Sequence, residues 1–186
     1  MIIVMGLSGA GKTSVLTEVK RKREDITLVN YGDIATEVGI KAELVENRDQ
    51  VLALAPDQIK ELQVKVVESL EDNPKTILDT HALLALKPMG FMSGLTDSLF
   101  EKIKIEGMIY IDASSEEVMK RRKEDTSRDR MIIELNELNQ NRIRSNEIID
   151  AYAKKYKVQK FTIKNSDGQF DNTVKELLLT LTQLGW

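Results

Sequence analysis

The sequence predicts an α/β fold: a three-layer sandwich in which helices cover both faces of a five-stranded parallel sheet. Two observations carry this. Short apolar runs alternate with stretches of helical spacing along all 186 residues, and parallel strands need helical crossovers between them. The first apolar run also breaks straight into a glycine-rich segment that opens a helix.

Met1–Met5 (MIIVM) is apolar throughout and ends at a glycine, the pattern of a strand buried on both faces. A helix follows from Lys12 to Lys22, then a second strand at Ile26–Asn30. Gly32–Gly39 reads as a short helix and Arg48–Ala55 as another, ended by Pro56. From Asp57 to Glu71, Ile59, Leu62, Val66 and Leu70 fall on one helical face. Thr76–Asp79 is the third strand; residues 87–94 read as a loop, with a helix to Lys102 after it. Gly107–Asp112 is the fourth strand. Ser114 or Ser115 can cap the next helix, whose Glu116 and Glu117 suit its positive end. A long helix from Met131 to Tyr152, a fifth strand at Val158–Ile163 and an amphipathic helix from Val174 to Leu184 complete the order. With no repeat or linker in sight, residues 1–186 are expected to form one domain.

Net charge is −3, so no general basic surface invites nucleic acid. The absence of cysteine excludes disulfides and thiolate metal sites. Met1–Gly6 is too short for a signal segment or a membrane span, and no longer apolar run is present. The expectation is a cytoplasmic protein with no membrane partner.

Gly6-Leu7-Ser8-Gly9-Ala10-Gly11-Lys12-Thr13 fits G-x-x-x-x-G-K-[ST] at every fixed position, between a strand and a helix. Such a loop aims backbone amides and a helix N-terminus at phosphate. Lys12 is placed to reach the β- and γ-phosphates and Thr13 to offer its hydroxyl to Mg²⁺. The candidate ATP contacts are therefore Gly6 through Ser14, and the predicted fold is that of the P-loop nucleoside triphosphate hydrolases. The motif alone does not choose among GTPases, ATPases, kinases and regulators.

Asp79 ends a buried strand, where a carboxylate can hold Mg²⁺ together with Thr13. Asp112 ends another strand and is read either in the same way or as a helix cap. His81, the sole histidine, reads equally as a structural or a catalytic residue near the acceptor. Residues 120–130 (KRRKEDTSRDR) hold six basic residues against three acids. The Thr126-Ser127 break suggests a loop, and arginines on a loop can neutralise a transferring phosphoryl group. Arg121 and Lys123 are read as the solvated flank of that loop. Arg142 and Arg144 either point back at the phosphates or lie on the surface.

Taken together, the segments resemble the archaeal-type adenylate kinases. The likeness is carried by the P-loop, by Leu28–Asp33 with Leu44–Gln50, by Asp79-Thr80-His81-Ala82 and Gly90–Leu95, and by Met119–Arg130. It continues through Ala151-Tyr152-Ala153 and Ile163–Gly168, so it spans almost the whole chain in order. The resemblance implies transfer of a phosphoryl group from ATP to AMP with Mg²⁺. It implies an AMP-binding region over residues 30–72, with Tyr31, Gly32, Arg48, Asp79 and His81 as candidate contacts. It also implies a short lid over residues 120–131, with Arg128 and Arg130 joining Lys12 as catalytic residues. Residues 165–168 are expected near the adenine of ATP, through backbone groups. A homotrimer is one oligomeric state that the family raises, though no interface signal stands out. The chain departs from the family where Asn146 replaces an arginine; Arg142 and Arg144 lie four and two residues earlier. The competing readings are a kinase acting on CMP or UMP, and an ATP-sensing module without catalysis.

Overall fold

The computed structural model describes residues 1–86, 90–124 and 134–186. Five strands, β1 (Ile2–Met5), β2 (Thr27–Asn30), β3 (Thr76–Asp79), β6 (Gly107–Asp112) and β7 (Lys160–Lys164), form one sheet in the order β2-β3-β1-β6-β7. Every pairing in it is parallel. The remaining strands, β4 (Leu83–Ala85) and β5 (Phe91–Ser93), pair antiparallel as a separate hairpin. The helices are α1 (Lys12–Lys22), α2 (Tyr31–Lys41), α3 (Arg48–Val51), α4 (Pro56–Ser69), α5 (Asp97–Lys102), α6 (Ser115–Glu124), α7 (Leu135–Tyr156) and α8 (Phe170–Gln183).

Successive strand side chains point to opposite faces, and β1 shows how this builds three layers. Ile3 and Met5 join the core under α2, α4, α5 and α7, with Leu62, Val66, Leu99 and Ile149. Ile2 and Val4 join the opposite core under α1 and α8, with Val15, Val19, Leu177 and Leu181. All four residues of β1 are fully buried, as its uninterrupted apolar sequence requires. A third small cluster, Ala10, Ala113, Val118 and Leu138, packs α6 and α7 against the loop after β1.

Several elements differ from the expectation; α8 begins at Phe170, a turn before Val174, and α2 spans Tyr31–Lys41, past both ends of Gly32–Gly39. The region read as a loop over 87–94 contributes β5 and is preceded by β4; each strand is three residues long, too short to show an alternating pattern. The helix expected over Arg48–Ala55 stops at Val51, because Ala55 caps α4 and Pro56 takes its first position, where a missing N–H costs nothing. The long helix runs one turn past Tyr152, where the Tyr156 ring stacks on Phe100 with centroids 4.5 Å apart. Among the described residues, no helix is long and apolar enough to cross a membrane.

Candidate functional site

The loop from β1 to α1 lies at the carboxyl end of the sheet, where open α/β folds bind ligands. Gly6 is fixed by close approach: a Cβ there would come 2.6 Å from the Ile111 carbonyl oxygen on β6. Gly11 caps α1 in the left-handed conformation (φ 85°), which glycine adopts without penalty. A Cβ on Gly11 would also meet the Asn165 amide nitrogen at 2.3 Å.

An open cavity of about 770 Å³ faces this loop, within the range of small-molecule sites. Leu7, Ser8, Gly9, Gly11, Lys12, Thr13 and Ser14 line one side; Asn30, Asp33 and Arg48 line another, with Asp79 and His81 among the remaining lining residues. Gly6 and Ala10 are buried and support the loop from outside the lining. The sheet order explains the assembly: β1, β3 and β2 are neighbours, so their carboxyl ends present Lys12, Asp79 and Asn30 in a row.

That row is bonded from end to end. The Lys12 ammonium pairs with Asp79 Oδ1, and both side chains are buried. Asn30 Nδ2 donates to Asp79 Oδ2 at 3.0 Å. Asn30 Oδ1 accepts the Asp33 backbone N–H at 3.1 Å, capping α2, and Arg48 Nη2 at 3.3 Å. Arg48 also pairs with Asp33. Its guanidinium lies over Gly32, where a Cβ would come 2.7 Å from Nη2. Asn30 and Asp33 fall in the region expected to bind AMP but were not among its candidate contacts; for Asn30, a polar side chain at a strand end that also precedes a helix was the available signal.

Tyr31 is brought to the same strand end but turned inward. Its ring packs in the core beside Ala35 and Leu62, burial pushes its hydroxyl pKa up, and it does not line the cavity. Asp112 is neither cap nor free carboxylate: Arg142 Nε and Nη2 fork onto its two oxygens at 2.6 and 2.5 Å. Arg144 instead lies over the Phe91 ring, 4.7 Å from its centroid. Ser114 caps α6 reciprocally with Glu117.

Arg121 corrects the expectation of a solvated flank. Its Nη2 donates to the Asn165 carbonyl at 2.8 Å and its Nη1 to the Ala10 carbonyl at 3.4 Å. Nε and Nη2 hold Asp167 as well. Hydrogen bonds from Lys120 and Arg121 keep the Asp167 carboxyl below its ordinary range. Arg122 Nε donates to the Ser8 carbonyl at 2.8 Å. The carbonyls of the phosphate loop thus recruit the basic end of α6. Lys123 is exposed, as expected. Arg128 and Arg130 lie outside the described residues.

Thr13, exposed at the cavity wall, and Asp79 at the end of β3 are hard oxygen donors, which suits Mg²⁺. Among the described residues, no group of three or more His, Asp or Glu side chains is placed to hold a metal alone.

Comparisons with known proteins agree with the geometry. A family model described as an AAA domain matches residues 5–139. An adenylate kinase from Methanothermobacter thermautotrophicus is 32% identical over 180 residues, covering 95% of this chain and 96% of that protein. One from Methanopyrus kandleri is 28% identical over 189 residues, covering 99% and 98%. Among solved structures, a shikimate kinase from Acinetobacter baumannii in complex with shikimate superposes with a TM-score of 0.61 at 15% identity, covering 98% of this chain and 92% of that one. A gluconokinase from Sinorhizobium meliloti 1021 gives a TM-score of 0.55 at 15% identity, with 98% and 91% covered. At such identity the structural matches bear on the fold.

Proposed function

The chain belongs to the adenylate kinase family, and from that premise we propose that it transfers the γ-phosphoryl group of ATP to AMP, reversibly, giving two ADP. The observation that carries this reading is the bonded row across one cavity. Lys12 on the phosphate loop and Arg48 beyond β2 are linked through Asp79 and Asn30. Strands β1 and β2 are two interstrand spacings apart, about 10 Å, which leaves room for a donor and an acceptor phosphate side by side.

ATP would enter with Mg²⁺, which Thr13 and Asp79 would hold through their oxygens and which would supply neutralisation of the charge on the β- and γ-phosphates. Lys12 exchanges Asp79 for those phosphates, and the amides of Gly9 and Gly11 surround them. Arg48 exchanges Asp33 for the AMP phosphate, to which its planar fork is matched. An oxygen of the AMP phosphate then bonds to the γ-phosphorus while the bond from that phosphorus to the β–γ bridging oxygen breaks. The acceptor oxygen is already anionic, so no strong general base is required and His81 need not act as one. Arg128 and Arg130 supply positive charge to the transferring group, and residues 165–168 lie on the adenine side of ATP.

A coupled ADP assay with ATP and each of AMP, CMP and UMP tests this. AMP is expected to be the preferred acceptor. Faster turnover with CMP or UMP would make the protein a different nucleotide kinase, and ATP binding without turnover would make it a sensing module.

A further inference from the structure

A side chain that sits behind the phosphate loop, Asn165, is placed to set the direction of one of its amides. Asn165 follows β7, and its backbone N–H continues the ladder by donating to the Asp112 carbonyl at 2.7 Å. It is buried, and its Nδ2 donates to the Ala10 carbonyl at 2.7 Å. The orientation of the amide is forced. At 2.7 Å from a carbonyl oxygen only the nitrogen is tolerable, since the flipped amide would set two acceptors against each other. The buried Thr173 hydroxyl also lies 3.2 Å from Asn165 Oδ1, but its one proton has nearer acceptors in the Lys164 and Gln169 carbonyls, at 2.9 and 3.0 Å, so it is the Ala10 contact that assigns the amide. Arg121 adds a second, longer contact to the same Ala10 carbonyl.

The consequence follows from the planarity of the peptide bond. In a trans peptide the C=O and the following N–H point in opposite directions. Fixing the Ala10 carbonyl toward Asn165 therefore fixes the Gly11 N–H away from it. Gly11 lines the cavity and Asn165 does not, so this N–H is turned toward the phosphate side. The missing Cβ of Gly11 is part of the device, since that space holds the Asn165 amide nitrogen. Without the anchor, the Ala10–Gly11 peptide can rotate about ψ of Ala10 and the permissive φ of Gly11, and a carbonyl oxygen then competes for the phosphate position.

We infer that Asn165 is a positioning residue for the donor phosphates, acting through the Ala10 carbonyl to hold the Gly11 amide in its binding direction. The inference rests on the reading of Gly6–Thr13 as the ATP phosphate loop. It predicts an effect confined to the ATP side of the reaction.

The test compares wild type with Asn165→Asp, which keeps the volume but removes the donor, and with Asn165→Ala, which removes the anchor altogether. Binding of MgATP and of AMP is titrated separately, and the Gly11 amide resonance is followed in ¹⁵N-labelled protein as MgATP is added. In wild type the Gly11 resonance is expected to move strongly. In Asn165→Asp that shift is expected to be lost and the Kd for MgATP to rise at least tenfold, with the Kd for AMP within twofold of wild type. Asn165→Ala is expected to lose the shift and weaken MgATP binding in the same direction, with AMP binding within twofold of wild type. Should Asn165→Asp fail to fold, Asn165→Ala decides by the same two readouts. An unchanged Gly11 shift with MgATP affinity within twofold of wild type overturns the inference, as does equal weakening of AMP. Failure of wild type itself to bind MgATP overturns instead the reading on which the inference rests.

Discussion

Removing Lys12 should injure this protein twice, once in catalysis and once in stability, and the two injuries should separate. Lys12 is 6% exposed and Asp79 7%, so the pair is desolvated. Lys12→Met fills a similar volume but leaves the Asp79 carboxylate buried without its cationic partner, though the Asn30 amide still donates to it. Breaking a buried pair from one side costs about 3–5 kcal/mol, whereas replacing both charges is often neutral. At a urea slope of about 2 kcal/mol/M, the single mutant should lose roughly 1.5–2.5 M in unfolding midpoint. Lys12→Met with Asp79→Asn should recover most of that loss. Turnover should behave otherwise, because the ammonium acts on charge in the transition state. A fall of at least about a hundredfold in kcat, or ~2.7 kcal/mol, is expected in the single mutant and should persist in the double. The measurements are urea unfolding without nucleotide and the coupled ADP assay. A single mutant as stable as wild type, or a double mutant that regains turnover, would refute the reasoning.

The other predictions concern the acceptor, the arginine loop and the core. Arg48→Ala should raise the Kd and KM for AMP while leaving the Kd for ATP nearly unchanged, since the contact is made before transfer; separate titrations check it. Arg128→Ala or Arg130→Ala should lower kcat at least about a hundredfold, within the range known for transition-state arginines, while the Kd for ATP without AMP changes less than about fivefold. Lysine at either position should rescue poorly, as measured by kcat, because a point charge cannot copy the fork. Thr76 is buried in β3 and its hydroxyl has no hydrogen-bond partner among the described residues. Thr76→Val should therefore stabilise by about 1 kcal/mol, raising Tm by about 2–4 °C in thermal unfolding.

How much could be read without coordinates depended on the range of each interaction. The strand, loop and helix at residues 2–22 are specified by adjacent residues, so the β1–loop–α1 unit was legible to within a residue, the strand starting at Ile2 rather than Met1. The hairpin β4–β5 was not, because a three-residue strand leaves no period to detect. In the site, the motif named Lys12 and the strand end named Asp79, but their direct pairing links positions far apart in the chain. Asp112 shows the same limit: a carboxylate at a strand end looks like a cap or a metal ligand until Arg142 is found forked onto it. Arg121 was the least legible. Its charge suggested solvent, yet besides Asp167 it meets the backbone carbonyls of Ala10 and Asn165, and backbone groups leave no trace in residue identity. Tyr31 stands at the end of β2, but the turn into α2 buries its ring, a direction that residue identity does not reveal.

The central claim is tested most directly by incubating the purified wild-type protein with MgATP and following ADP formation with AMP added, with CMP or UMP in its place, and with no acceptor. The account predicts two ADP for each AMP consumed, a much lower rate with CMP or UMP, and almost none without an acceptor. ADP formation that ignores AMP, or that runs fastest with another monophosphate, would contradict it.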